Sequence, residues 1–220
     1  MATPGSTPRP EEHRKRAHQT AEQTLNAHDF GLRTIDVDKD LPEVHQIFSE
    51  GMQLYSNALP APSPLRTMWE QYIPKSVADD LSNITQVYLE SGGNFWVVYD
   101  KKENNQIIGC VGCESIAKLK TCELRRMSVR QTTRRVGLGS LLVRVVEEFA
   151  AAQAFTELIL TTGSIMTPAK GLYERNGFEM YKYEAAETEA MIEFGQTFGI
   201  LHFRKPITQG KGGRWMWSKF

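Results

Sequence analysis

At 220 residues, 40% of them hydrophobic and 10% aromatic, the chain suits one sizeable α/β domain with short extensions and is too apolar to be broadly disordered. Its 26 lysines and arginines balance 26 aspartates and glutamates, which excludes a general nucleic-acid binder with its basic excess. Three cysteines form no disulfide framework, and no apolar run reaches the ~18 residues of a bilayer span, so a cytoplasmic protein without membrane attachment is expected.

Residues 1–30 are charged and poor in large apolar side chains, the composition of a flexible arm, with a helix-prone stretch over 11–25. The folded domain is expected to span 31–207, opening with a short strand through Leu32, Ile35 and Val37. Leu41, Val44, Ile47, Phe48 and Met52 follow at helical spacing, predicting a helix over 41–55 with Asp38 and Asp40 as caps. Prolines make 57–64 a loop, and 65–90 is expected to be further helix, broken near Pro74.

Residues 94–99 are rich in β-formers and lead through the polar turn 100–105 to an expected hairpin partner at 106–113, with a third strand at 122–129. Leu138, Leu141, Leu142, Val145, Val146 and Phe149 form one apolar stripe, the signature of a helix. A strand at 157–162 and a shorter helix at 168–176 follow, the latter opened by Pro168 and closed by Gly177. Residues 178–183 and 200–203 are the last expected strands, and 208–220 is a Gly-rich basic tail carrying Trp215 and Trp217. Hairpins followed by strand–helix–strand–helix–strand predict a mixed α/β sheet.

The segment 128–140 joins a strand to the best helix of the chain. Gly137 and Gly139 let the backbone turn and let a ligand approach its N–H groups, while Arg134 and Arg135 bring positive charge to a helix N-terminus whose dipole has the same sign. These features together suit a diphosphate. A Walker-type loop would need Gly-Lys-Ser/Thr, which is missing, and a dinucleotide fingerprint would need a third glycine where Leu142 stands.

Arg134-Arg-Val-Gly-Leu-Gly139 resembles the acetyl-CoA motif Arg/Gln-x-x-Gly-x-Gly/Ala of the GNAT superfamily of N-acetyltransferases. A second block, Ala169-Lys-Gly-Leu-Tyr-Glu-Arg-Asn-Gly-Phe178, is similar to that superfamily's Ala-x-x-Leu-Tyr-x-x-x-Gly-Phe. The resemblance covers about 95–183. Residues 123–129 and 160–169 look most like the N-acetylaspartate synthetase and cysteine-conjugate N-acetyltransferase branch, whose membrane segment has no counterpart in the Pro-containing, charged stretch 57–72. The resemblance implies a GNAT fold: a mixed, mostly antiparallel twisted sheet of about six to seven strands flanked by about four helices.

It also implies acetyl-CoA as co-substrate and assigns roles. Backbone groups of Met127, Ser128 and Val129 would hold the pantetheine arm, and Arg134, Arg135, Val136, Gly137, Leu138, Gly139 and Ser140 the diphosphate. Tyr173 matches the tyrosine facing the coenzyme sulfur, a phenol protonated at neutral pH and able to protonate the leaving thiolate. Glu123 stands where some members carry a catalytic glutamate; it is either the base for the amine or an ion-pair partner of Arg125 on a solvated face. The positions of another base and of a coenzyme-contacting asparagine are taken by Thr161 and Met166.

Period-two alternation puts Glu123, Arg125 and Met127 on one face of the strand and Leu124, Arg126 and Ser128 on the other. One of Arg125 and Arg126 is thereby aimed at the cleft, where a guanidinium favours a carboxylate-bearing amine; either is otherwise a surface arginine. Cys110 and Cys113 point to opposite faces and the histidines are scattered, so no metal is expected. The reading is an N-acetyltransferase for a small-molecule primary amine, an amino acid or conjugate favoured. Acetylation of protein N-termini or lysines and a non-catalytic acyl-CoA-binding module are the alternatives, and a homodimer is left open. Residues 184–199 are the segment that decides whether a peptide-sized groove is closed.

Overall fold

The computed structural model describes residues 25–26 and 28–208. The helix-prone stretch of the arm up to residue 24, and the tail with Trp215 and Trp217, lie outside the described residues. Leu25 and Phe30, expected in the arm, are buried in the core.

Among the described residues seven strands form one sheet: β1 (Phe30–Thr34), β2 (Asn94–Asp100), β3 (Gln106–Ile116), β4 (Thr121–Val129), β5 (Glu157–Gly163), β6 (Glu179–Ala185) and β7 (Gly199–Pro206). Their order is β1-β2-β3-β4-β5-β7-β6, and every neighbouring pair is antiparallel except β4 and β5. Helices α1 (Val37–Asn57) and α2 (Pro64–Ala78) pack on one face, while α3 (Leu138–Ala152) covers the other. α4 (Thr167–Arg175) follows β5, and the short α5 (Glu189–Glu193) lies between β6 and β7.

The stripe Leu138, Leu141, Leu142, Val145, Val146 and Phe149 is buried as its spacing predicts, against Trp96, Cys113, Cys122, Leu158 and Phe203. Each such side chain contributes about 1.5–3 kcal/mol when fully buried. The opposite layer gathers Val44, Ile47, Phe48, Leu65, Trp69 and Ile73 on Phe95, Val97 and Cys110. Cys110 and Cys113 therefore do belong to opposite layers, and burial pushes the Cys110 thiol up to about 12.

Two helix boundaries differ from expectation. α1 begins at Val37, so Asp38 and Asp40 sit in its first turn instead of capping it. Asp40 is recruited by Arg33 at the end of β1 and accepts from the Asp36 N–H at 2.8 Å, which ties strand to helix. α2, capped by Ser63 through the Arg66 N–H at 3.2 Å, runs through Pro74 and ends only at Ala78. Burial of Trp69 and Ile73 outweighs the backbone bond lost at the proline, and the break comes instead at Asp79, before a 3-10 turn over Asp80–Ser82.

The sheet opens where β4 meets β5. Their parallel pairing covers only Thr121, Glu123 and the residue between, opposite Glu157–Ile159, and beyond that the strands diverge. Among the described residues no helix is long and apolar enough to cross a membrane.

Candidate active site

Two cavities open from the split between β4 and β5. One, of about 580 Å³, lies between β4, β5 and helices α1 and α2. The other, of about 650 Å³, runs between β4, the loop before α3, and α4. Met52, Met127, Met166 and Tyr173 line both, so these four side chains form the wall between them.

The larger cavity is a cationic groove. Arg134, Arg135 and Arg175 line it and, among the described residues, no carboxylate does. Gly137 adopts φ 88 to start α3, aiming the unpaired N–H groups of the first helical turn at the groove. A Cβ on Gly139 would come within 3.0 Å of Leu172 on α4, so that glycine is what lets α3 and α4 approach. Asn176 reinforces the junction by donating to Ser140 Oγ at 3.2 Å. Of the run 134–140, Val136 alone is missing from the lining: its side chain packs on the core and anchors the loop. Met127, Ser128 and Val129 line the groove along β4, and the Ser128 hydroxyl is buried there without a hydrogen-bond partner among the described residues. Three guanidinium groups, a helix N-terminus and an orphan hydroxyl fit a long ligand with a phosphorylated end and an amide-bearing arm, which is the chemistry of coenzyme A.

The smaller cavity is aromatic and sulfur-lined, with Phe48, Trp69, Tyr72, Phe198, Met52, Met68, Met127 and Met166 in its walls. Trp69 is fixed by donating its Nε1–H to the Met52 carbonyl at 3.0 Å, and it contacts the rings of Tyr72 at 5.4 Å and Phe198 at 6.1 Å between centroids. Phe198 belongs to the segment after β6. That segment is tied to α2, because Gln196 accepts from the Leu65 N–H at 3.1 Å and Phe198 leans on Trp69.

The expected alternation along β4 fails at Arg126. This residue has φ 53 and sits in a bulge against β3, so Arg125 and Arg126 turn to the same side. Both converge on Asp80. Arg126 donates to its carboxylate from Nε at 2.9 Å and from Nη2 at 2.5 Å, and to the Tyr72 hydroxyl from Nη1 at 2.8 Å. Its guanidinium also lies 5.3 Å from the Phe48 ring centroid. Arg125 is held by Glu114, with Asp80 at 3.7 Å. Burial would push the Asp80 carboxyl up, but Arg126 and the Tyr88 hydroxyl overrule it and hold it below the ordinary range.

Glu123 lies across the ladder from Glu114 and lines the aromatic cavity. Among the described residues it makes no ion pair; Arg125 goes to Glu114 and Asp80 instead. Burial, opposed by Arg125 and reinforced by Glu114, raises its pKa above the usual carboxylate value. Burial also raises the Tyr173 pKa, with Tyr55 adding to it, so this phenol keeps its proton throughout the neutral range.

Sequence inspection passed over several lining residues. Met52 and Tyr55 on α1 and Trp69 and Tyr72 on α2 come from the stretch outside the recognisable motifs, and Phe198 from the insertion. Arg175 was in view, two residues past Tyr173, and its position on the groove follows from the helix turn alone.

Comparison with known proteins adds an independent line. Residues 51–178 match the family model described as acetyltransferase (GNAT) family. The chain is 35% identical over 112 residues to N-acetyltransferase family 8 member 2 of Rattus norvegicus, covering 49% of this chain and 48% of that protein. It is 34% identical over 116 residues to N-acetyltransferase 8 of Homo sapiens, covering 50% of each. The chain thus spans about half the length of the curated relatives it matches. Its fold is shared by a GNAT superfamily phosphinothricin acetyltransferase of Sinorhizobium meliloti solved with AcCoA, at TM-score 0.59 and 15% identity over 85% of this chain and 93% of that one.

Proposed function

The chain belongs to the acetyltransferase (GNAT) family, whose model covers more than half of it, and from that premise we propose that it moves acetyl from acetyl-CoA to the primary amine of a small molecule with an apolar body. The observation that carries this reading is the shared wall. A thioester entering from the arginine-lined groove and an amine seated among the aromatic rings meet at Tyr173, Met127 and Met166.

Each role follows from position. The edge of β4 left unpaired by the divergence from β5 offers backbone groups of Met127, Ser128 and Val129 to the pantetheine amides, with the Ser128 hydroxyl as a further partner. The loop 134–140 and the first turn of α3 take the diphosphate. Glu123, half-buried, without an ion pair among the described residues and raised in pKa, accepts a proton from the acceptor amine as nitrogen attacks the thioester carbonyl. Tyr173 gives its proton to the sulfur that leaves. One proton is gained and one given up, and both residues return to their resting states by exchange with water.

Apolar walls and the segment 186–198 argue for a compact acceptor over a peptide. An amino acid or its conjugate is the favoured class. Arg126 is committed to Asp80, whereas Arg125, paired with Glu114, is still 26% exposed and is the guanidinium that can share its charge with a carboxylate on the acceptor. Both cavities are lined by this one chain, so the mechanism needs no second copy. Residence in the cytoplasm belongs to the same proposal and rests on the sparse cysteines, all three of them free.

Thiol release from acetyl-CoA over a panel of amines tests the proposal, with apolar amino acids, cysteine conjugates, polyamines and short peptides in the panel. Turnover should be fastest with an apolar amino acid or conjugate. Coenzyme binding with no turnover on any amine would identify an acyl-CoA-binding module instead, and turnover confined to peptides a protein acetyltransferase.

A further inference from the structure

Gly171 occupies the interior of α4, a position where alanine would favour the helix. No core side chain explains it. A Cβ there would meet only Arg175, whose Nη1 lies 3.1 Å from the site it would fill. The bare backbone therefore makes room for a guanidinium folded back along the helix by four residues.

That conformation needs a reason of its own. Arg175 stands in the last turn of α4, where a cation gains by turning toward the free carbonyls at the helix end. It lies the other way, over Gly171 and on the bank of the cationic groove. Among the described residues it has no ion pair: its neighbour Glu174 is 3.9 Å from Lys170 instead. Its full charge thus faces the groove, which no carboxylate of the described residues lines.

Cations line the groove from two elements. Arg134 and Arg135 stand at the N-terminus of α3. Arg175 stands on α4, which the Asn176–Ser140 hydrogen bond ties to that first turn. We propose that Gly171 and Arg175 form a subsite for the phosphomonoester on the ribose of coenzyme A, separate from the diphosphate cradle and able to discriminate between the coenzyme and its dephosphorylated form. A phosphomonoester carries about −1.5 to −2 charge near neutral pH, and a guanidinium fork suits its oxygens. This inference rests on the acetyl-CoA reading of the same groove.

Isothermal titration of the full chain with coenzyme A and with 3′-dephospho-coenzyme A tests it. The wild type should bind coenzyme A about tenfold more tightly than the dephosphorylated form, the scale of one charge-assisted contact. Arg175→Ala should bring that ratio to about one while leaving the affinity for the dephosphorylated form within about twofold. Gly171→Ala, which displaces the guanidinium without removing it, should lower the ratio without lowering the melting temperature. A ratio near one in the wild type, or an equal loss of affinity for both ligands in Arg175→Ala, would overturn the subsite while leaving the acetyl-CoA reading intact. No binding of either ligand to the wild type would instead overturn the acetyl-CoA reading and the subsite with it.

Discussion

Glu123 and Glu114 stand directly opposite each other in the β3–β4 ladder, and only Glu114 is neutralised by Arg125. Burial disfavours the charged carboxylate, and the like charge of Glu114 across the ladder adds to the effect, so Glu123 holds its proton to a higher pH than an ordinary glutamate. Activity should therefore rise as pH increases through this raised pKa. Glu123→Gln should lower kcat about 100-fold and remove that rise, leaving only the titration of the acceptor amine. The same shift sets a stability trend. A carboxyl whose folded pKa is raised favours the folded state below its unfolded pKa and loses that contribution as pH rises through the folded one. The melting temperature of the Gln variant should exceed that of the wild type at pH 8, and the gap should close toward pH 4. An unchanged pH–rate profile in the Gln variant would remove Glu123 as the base.

Tyr173 tests the other proton. Its phenol lines both cavities and is pushed up in pKa by burial, so it stays a donor across the working range and should add no alkaline limb to the profile. Tyr173→Phe keeps the ring that packs on Phe178 and Phe203 but loses the donor. Expected is a fall in kcat of about 10- to 100-fold, with the affinity for coenzyme A by calorimetry within about twofold of wild type. A large loss of coenzyme affinity with kcat retained would make the residue a wall and nothing more.

Arg125 and Arg126 should separate cleanly. Asp80 is buried and takes its closest cation from Arg126, so Arg126→Ala leaves it with only the Tyr88 hydroxyl and Arg125 at 3.7 Å and should cost about 3 kcal/mol in urea unfolding. Arg125→Ala leaves the Arg126–Asp80 pair in place and should be much milder in stability. Its effect should appear in substrate choice, with KM for carboxylate-bearing amines raised about tenfold relative to their carboxylate-free analogues. An equal change in KM for both series would exclude Arg125 from acceptor recognition.

How much of this was legible beforehand depended on whether the cause was local. The stripe from Leu138 to Phe149 and the hairpin strands β2 and β3 follow from periodicity within each segment, and the groove from the order of strand, arginines, glycines and helix. The convergence of Arg125 and Arg126 was not legible. It depends on the bulge at Arg126 and on Asp80, a residue 46 positions away in the chain, and no alternation rule contains either. Pro74 misled for a similar reason, since tertiary burial of Trp69 and Ile73 carries the helix past it. The aromatic cavity escaped altogether, because Trp69, Tyr72 and Phe198 come together only when the segment after β6 ties itself to α2.

That tie makes Phe198 the residue on which acceptor size should turn. Its ring is 4% exposed, forms an edge contact with Trp69 and closes one side of the aromatic cavity. Phe198→Leu keeps an apolar side chain in the wall while shortening it, so the fold should survive with a loss of about 1–2 kcal/mol for the small cavity left behind. A compact apolar amine would then lose contact with one wall, and its kcat/KM should fall about 10-fold. A tripeptide, the disfavoured acceptor on the proposed reading, should lose nothing or gain, so the ratio of the two rates is the measurement. If both substrates decline together, Phe198 serves packing alone and the limit on acceptor length lies elsewhere in the cavity.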